Sequence, residues 1–197
     1  MRSKTNITRL ITGVDEVGRG PCFGSVVTAA VSLDPVQPIL ELKDSKAVLA
    51  KKHASLNLEI KDKALCYGIA EASAEEIDRL NILQAAMLAM IRAVEKLMPV
   101  PSIAMIDGNR IPEGLPCPAE FVIKSDTKVE AIMAASILTK EFRDNQIIKL
   151  AEVYPGYGLE SHKGYGTKQH LEAIKTLGVT PLHRRSFKPV KEALGIL

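Results

Sequence analysis

The chain has 197 residues, 46% of them hydrophobic and 25% charged, the balance of a globular protein of about one domain. Its three cysteines, Cys22, Cys66 and Cys117, stand far apart with no CxxC pair, which argues against a disulfide framework and a thiolate zinc site and predicts a reducing, cytoplasmic setting. Residues 1–12 lack the apolar core of a secretion signal, and the longest apolar run, 82–91, is too short for a bilayer, so export and membrane spanning are both excluded as expectations.

The net charge is only +3, but its distribution is uneven. Residues 161–197 hold seven Lys/Arg against Glu172 and Glu192, whereas the first 160 residues hold 19 basic and 21 acidic ones. A phosphate-gripping edge beside an acidic metal site produces this pattern, and so does a solvated basic face with no partner.

In chain order, residues 10–17 and 25–33 are rich in Val, Ile and Thr and are joined by a tight Gly/Pro link, which predicts two antiparallel strands. Residues 46–63 read as a helix and 64–72 as a third strand. Ser73-Ala-Glu-Glu76 is a capping box, and Asn81 with Gln84 opens a longer helix that stops before Pro99. Short strands are predicted at 102–107 and 120–124. Thr127-Lys-Val-Glu130 is a second capping box, opening a long helix with Val129, Ile132, Met133, Ser136 and Ile137 on one face. Residues 168–177 form a helix stopped by Gly178, and a last short helix follows Pro189. One mixed sheet flanked by helices accommodates this order.

Asp15-Glu16, Asp107 and Asp126 stand where strands end or a helix begins. Singly, each has an ordinary reading as a cap, a turn residue or a solvent-edge charge. Asp15 and Asp107, however, follow apolar runs (Ile11-Thr-Gly-Val14 and Ile103-Ala-Met-Ile106) that predict buried strands delivering carboxylates to one end of a sheet. Such a cluster is costly unless a divalent cation neutralises it, and hard oxygen donors suit Mg²⁺ or Mn²⁺. Neighbours on a strand point to opposite faces, so Asp15 and Glu16 share a site only if the strand bends; Asp15 is the expected bridging ligand and Glu16 has a lesser role.

The segment Gly13-Val-Asp-Glu-Val-Gly-Arg-Gly20 is not a nucleotide-binding loop. A dinucleotide fingerprint counted from Gly18 requires glycine where Phe23 stands, and a P-loop counted from Gly13 requires Lys where Arg19 stands. Gly18-Arg19-Gly20 reads instead as a loop that lets a polynucleotide backbone approach closely.

These segments, with Asp44-Ser-Lys46, Ile106-Asp107-Gly-Asn109, Asp126-x-Lys128 leading into Ala134-Ala-Ser-Ile-Leu-Thr-Lys140, Lys163-Gly-Tyr-Gly-Thr-Lys168-x-His170 and His183-Arg-Arg-Ser-Phe187, resemble the successive signatures of ribonuclease HII. They run in the family's order over about nine-tenths of the chain. The resemblance implies a ribonuclease H-like α/β fold, a catalytic core over 1–155, and a basic helical extension over 156–197 that completes the substrate site within one unit. It assigns Asp15, Glu16, Asp107 and Asp126 as catalytic and metal-holding. It places Gly18, Arg19 and Gly20 on the ribose at an RNA–DNA junction, Tyr165 as the junction sensor and Lys46 on the substrate. Lys163, Lys168, Arg184 and Arg185 are the candidate phosphate contacts, with packing of the C-terminal turn as the alternative reading of His183-Arg184-Arg185.

The implied activity is endonucleolytic hydrolysis of RNA in RNA–DNA hybrids and 5′ of ribonucleotides embedded in duplex DNA, as in ribonucleotide excision repair. Two Mg²⁺ or Mn²⁺ ions would assist, leaving 3′-hydroxyl and 5′-phosphate ends, and the protein is expected to act as a monomer. A non-catalytic hybrid-binding module and another nuclease of the same fold are the rivals; retention of all four acids opposes the first, and Gly18–Gly20 with Tyr165 opposes the second. Three departures stand out: Cys22-Phe-Gly-Ser25 replaces the family's Leu-Ala-Gly-Pro, Ser125 replaces a glycine, and Val129 replaces a serine.

Overall fold

The computed structural model describes residues 10–43, 46–123 and 129–197, with only the backbone path for 43 and 46–51. Strands β1 (Ile11–Val17), β2 (Val26–Leu33) and β3 (Ala64–Ala72) form an antiparallel meander. On the other side of β1, β4 (Ile103–Asp107) and β5 (Ala119–Val122) add in parallel, giving one mixed sheet in the order β3-β2-β1-β4-β5. This is the architecture expected from the sequence.

Helices cover both faces, which is why β2 is apolar or small at nearly every position. Its odd-numbered residues Ala29 and Val31 face α1 (Lys46–Lys63) and α4 (Glu130–Val153), packing with Leu56, Ile60, Ile137 and Leu138. Its even-numbered Ala30, with Val14 and Ile106, faces α3 (Ile82–Glu95) through Met90, Ala93 and Val94. The short helix α2 (Ala74–Leu80) precedes α3, opened by the predicted Ser73–Glu76 capping box, and Asn81 caps α3 through the N–H groups of Leu83 and Gln84.

Helix α4 departs from its predicted start. It opens at Glu130 with Val129 at the N-cap and no side-chain cap bond, so Glu130 is the first helical residue rather than the third, as a Thr127 box requires; Thr127 itself lies outside the described residues. Its early turns are buried almost all round, from Ala131 to Ala135, because the helix lies directly on β1. Gly13 makes this possible: a Cβ there would stand 2.1 Å from the carbonyl carbon of Ala131 and 2.2 Å from the nitrogen of Ile132. Backbone cannot yield as a flexible side chain can, so glycine is required.

The C-terminal segment comprises α5 (Leu159–His162), α6 (Lys168–Leu177) and α7 (Lys188–Ala193). It packs against the β1–β2 connection through a separate cluster of Cys22, Phe23, Ile147, Tyr157, Leu159, Ile174 and Val190. Phe23 is fully buried there, with its ring edge-on to His183 at 4.9 Å, so the departure at 22–25 fills the seam between core and extension. Among the described residues, no helix is long and apolar enough to cross a membrane.

Because the β1–α4 contact sets the spacing at the end of β1, Gly13→Ala is expected to destabilise the protein by about 3 kcal/mol or more, at the upper end of overpacking penalties. Urea unfolding measures this.

Candidate active site

β1 and β4 run side by side with Val14 beside Ile106, so the next residues, Asp15 and Asp107, emerge together at the same end of the sheet. β1 continues without a bulge through Asp15↔Ala29 and Glu16↔Thr28, so the bend considered for bringing both acids to one face is absent. Asp15 turns toward α4, where the Ser136 hydroxyl donates to it, and its Oδ1 also accepts the Glu16 N–H at 2.8 Å. Glu16 turns the other way, into a cleft of about 250 Å³ lined by Arg19, Met87, Met90, Asp107 and Asn109. Asp107, at the strand end, is near both.

The electrostatics reflect this crowding. Burial pushes the Asp15 carboxyl up to about 7, and the charges of Glu16 and Asp107 push in the same direction. Glu16 is also raised, first by burial, but Arg19 offsets part of that through an Nη1–Oε1 contact of 3.1 Å. Ser136 and Arg19 thus offset only part of the rise in Asp15 and Glu16. The donors are carboxylate oxygens, the hard ligands that Mg²⁺ and Mn²⁺ prefer. Among the described residues, no group of three or more His, Cys, Asp or Glu closes into a cage, and Asp126, the fourth acid, lies outside them.

Two loops border the acids. At Gly18, φ is +93°, and a Cβ would stand 2.4 Å from Nε of Arg143. Arg19 and Gly20 are exposed, and a Cβ on Gly20 would lie 3.2 Å from the Tyr165 ring. The half-exposed Tyr165 and the Gly18–Gly20 loop, 145 residues apart in the chain, thus share one surface, held by the Cys22 N–H donating to the Gly164 carbonyl at 3.0 Å. Lys46 opens α1, but its side chain lies outside the described residues.

The basic C-terminal residues do not act alike. Arg185 is exposed, and its backbone N–H is anchored by Asp78 of α2 at 2.8 Å. Lys163 is half-buried and its ammonium donates to the Glu160 carbonyl at 2.5 Å. Arg184 corrects the sequence reading: it is 0% exposed and hydrogen-bonded throughout to main-chain carbonyls, so it has no donor left for a phosphate. Sequence reasoning also missed two residues. Ser136 was placed on the core face of α4 but is exposed and serves Asp15. Arg143 was passed over, although it continues the i, i+4 series Ala135, Thr139, Arg143, Ile147, all of them buried.

A mixed sheet with acids at the adjoining ends of β1 and β4, between helical layers, defines a ribonuclease H-like nuclease. The ribonuclease HII family model matches residues 12–190. The chain is 58% identical to ribonuclease HII of Marinomonas sp. (strain MWYL1) over 185 residues, 94% of this chain and 93% of that one. The ribonuclease H2 of Pyrococcus horikoshii OT3 superposes with a TM-score of 0.75 at 27% identity, covering 94% of this chain and 97% of that one. Bst-RNase HIII, solved in complex with Mn²⁺, shares the fold with a TM-score of 0.69 at 19% identity, over 97% of this chain and 71% of that one. The chain belongs to the ribonuclease HII family, whose members are divalent-metal-dependent ribonucleases H acting on RNA–DNA hybrids.

Asp15→Asn tests the carboxylate crowding. A carboxyl raised on folding contributes stability below its unfolded value of 3.8, and that stability is lost as pH rises through about 7. In chelator, the melting temperature of Asp15→Asn is therefore expected to exceed that of the wild type increasingly as pH rises from 4 to 8. Asn retains an oxygen for the Glu16 N–H, so the comparison isolates the charge.

Proposed function

We propose that the protein hydrolyses the RNA strand of RNA–DNA hybrids and cuts 5′ of single ribonucleotides in duplex DNA, leaving 3′-hydroxyl and 5′-phosphate ends. The observation that carries this reading is the junction of three features on one surface: the acids at the ends of β1 and β4, the Gly18–Gly20 loop, and the Tyr165 ring against Gly20. Asp15, Glu16, Asp107 and Asp126 would hold two divalent cations, Mg²⁺ or Mn²⁺, which when bound supply Lewis acidity toward the scissile phosphate and the attacking water.

The chain's own residues do the rest. Arg19 keeps one Glu16 oxygen engaged at 3.1 Å and leaves the other for a ligand. The exposed backbone of Arg19 and Gly20 offers hydrogen bonds to a 2′-hydroxyl, the group that separates RNA from DNA. The Tyr165 ring, flanked by Gly164 and Gly166, presents a flat face to the next sugar, where it accommodates deoxyribose and crowds ribose. Together these requirements define a ribose–deoxyribose junction. Arg185 and Lys168, both exposed, would meet phosphates. Lys46 would contact the substrate, as the Asp44-Ser-Lys46 motif implies. The three cysteines are free, in keeping with a reducing compartment such as the cytoplasm.

The test is cleavage of a DNA duplex carrying one ribonucleotide, beside a long uniform hybrid, with and without Mg²⁺ or Mn²⁺. Asp107→Asn is expected to lose about 10²-fold or more on both, as expected when an electrostatic element of a catalytic site is removed. Tyr165→Ala is expected to lose far more on the single ribonucleotide than on the hybrid. Near-normal cleavage by Asp107→Asn would contradict the site, and equal losses in Tyr165→Ala would contradict junction sensing.

A further inference from the structure

The connection from Gly18 to Ser25 is built around two buried guanidinium groups. A guanidinium has five N–H donors in a rigid fork. Arg184 uses Nε on Gly24 O (2.8 Å), Nη1 on Arg19 O (3.2 Å) and Pro21 O (2.6 Å), and Nη2 on Gly18 O (2.6 Å) and Ser25 O (3.0 Å). Arg143 sits beside it, with Nη2 on Phe23 O and Nη1 on Lys163 O, both at 3.1 Å, so it ties the Gly18–Ser25 connection to the loop that carries Tyr165. The two are 0% and 2% exposed, and these bonds run to carbonyls rather than carboxylates. Burial and mutual repulsion lower Arg184 to about 9. An apolar residue of similar volume would leave these buried carbonyls without donors, so the guanidinium holds the connection in one conformation, and that conformation calls for a functional reason.

The geometry of the peptide unit supplies a reason. Across a planar trans peptide, the carbonyl of one residue and the N–H of the next point in opposite directions. Holding Gly18 O and Arg19 O inward on Arg184 therefore turns the N–H groups of Arg19 and Gly20 outward. These two residues are the exposed part of the connection; Gly18 and 21–25 are buried. The neighbouring amides are already used, Cys22 N–H on Gly164 O and Gly24 N–H on Leu182 O, and Pro21 has none.

The geometry points to Arg184, braced by Arg143, as the positioning residue for ribose selectivity: its grip on the Gly18 and Arg19 carbonyls presets the Arg19 and Gly20 amides as a donor pair for a 2′-hydroxyl. This rests on the ribose-reading role given to the loop above. Arg184 touches no substrate and acts through the loop. Lysine would keep the charge but, with three donors at a point, cannot hold five carbonyls.

The test compares the affinity of wild type and Arg184→Lys for a duplex with one ribonucleotide and for its all-deoxy twin, by fluorescence anisotropy with metal omitted. The wild type is expected to prefer the ribonucleotide duplex. In Arg184→Lys that preference is expected to shrink by about ten-fold, the worth of one or two hydrogen bonds, while all-deoxy affinity stays close to wild type. A merely structural arginine would leave the ratio unchanged, whatever happens to the melting temperature, and that result overturns the proposal. Absence of any preference in the wild type would instead bring down the ribose reading itself and the proposal with it. Should Arg184→Lys fail to fold, ¹⁵N relaxation on the wild type decides. Order parameters for the Arg19 and Gly20 amides near those of β1, about 0.85, support a preset pair, and values below about 0.6 overturn it.

Discussion

Carboxyl groups brought together at the adjoining ends of two parallel strands repel one another and lose water at the same time, and the rest of this structure is arranged around that cost. α4 lies on one face of β1, and α3 covers Val14, Ala104 and Ile106 on the other, so the last residues of β1 and β4 emerge into a partly dry corner between the two helices. Ser136 from α4 and Arg19 from the following loop each relieve one acid in part, and Asp15 remains raised to about 7. A multivalent cation held there, as proposed, would relieve that cost. Gly13 controls how tightly the corner closes, because it lets α4 lie on β1 with no side chain between them.

The second organising element has the opposite sign. Arg143 and Arg184 place two buried positive charges under the loop that follows the acids, with main-chain carbonyls as their partners. A cluster of acids and a positively charged loop base thus stand next to each other, joined through Arg19 and Gly18. Phe23 and the C-terminal helices cover the loop base, so the extension packs on residues 18–25.

Much of this was legible in the sequence because it is local. Apolar runs ending in Asp15 and Asp107, the Ser73 and Asn81 caps, and Gly178 after α6 each declare themselves within a few residues. The order of the motifs carried the family, and the family carried the fold. What failed depended on contacts distant in the chain. Arg184 stands beside an exposed arginine in a basic segment, and nothing local distinguishes it; only the carbonyls some 160 residues earlier explain its burial. Ser136 lies among buried α4 residues, and its role appears only when β1 is placed against the helix. The Thr127 box matched a pattern, yet α4 begins at Glu130 with Val129 as its cap. Asp126 and the Lys46 side chain remain motif assignments, outside the described residues.

The central claim is that the acids of β1 and β4 form one cation site. Its most direct test is a Mn²⁺ titration at neutral pH, followed by electron paramagnetic resonance, of the wild type and of Asp15→Asn and Asp107→Asn. The account predicts saturable binding to the wild type and affinity lower by about ten-fold or more in each variant, because each removes a charged oxygen ligand from a shared site. Equal affinity in all three proteins would contradict it.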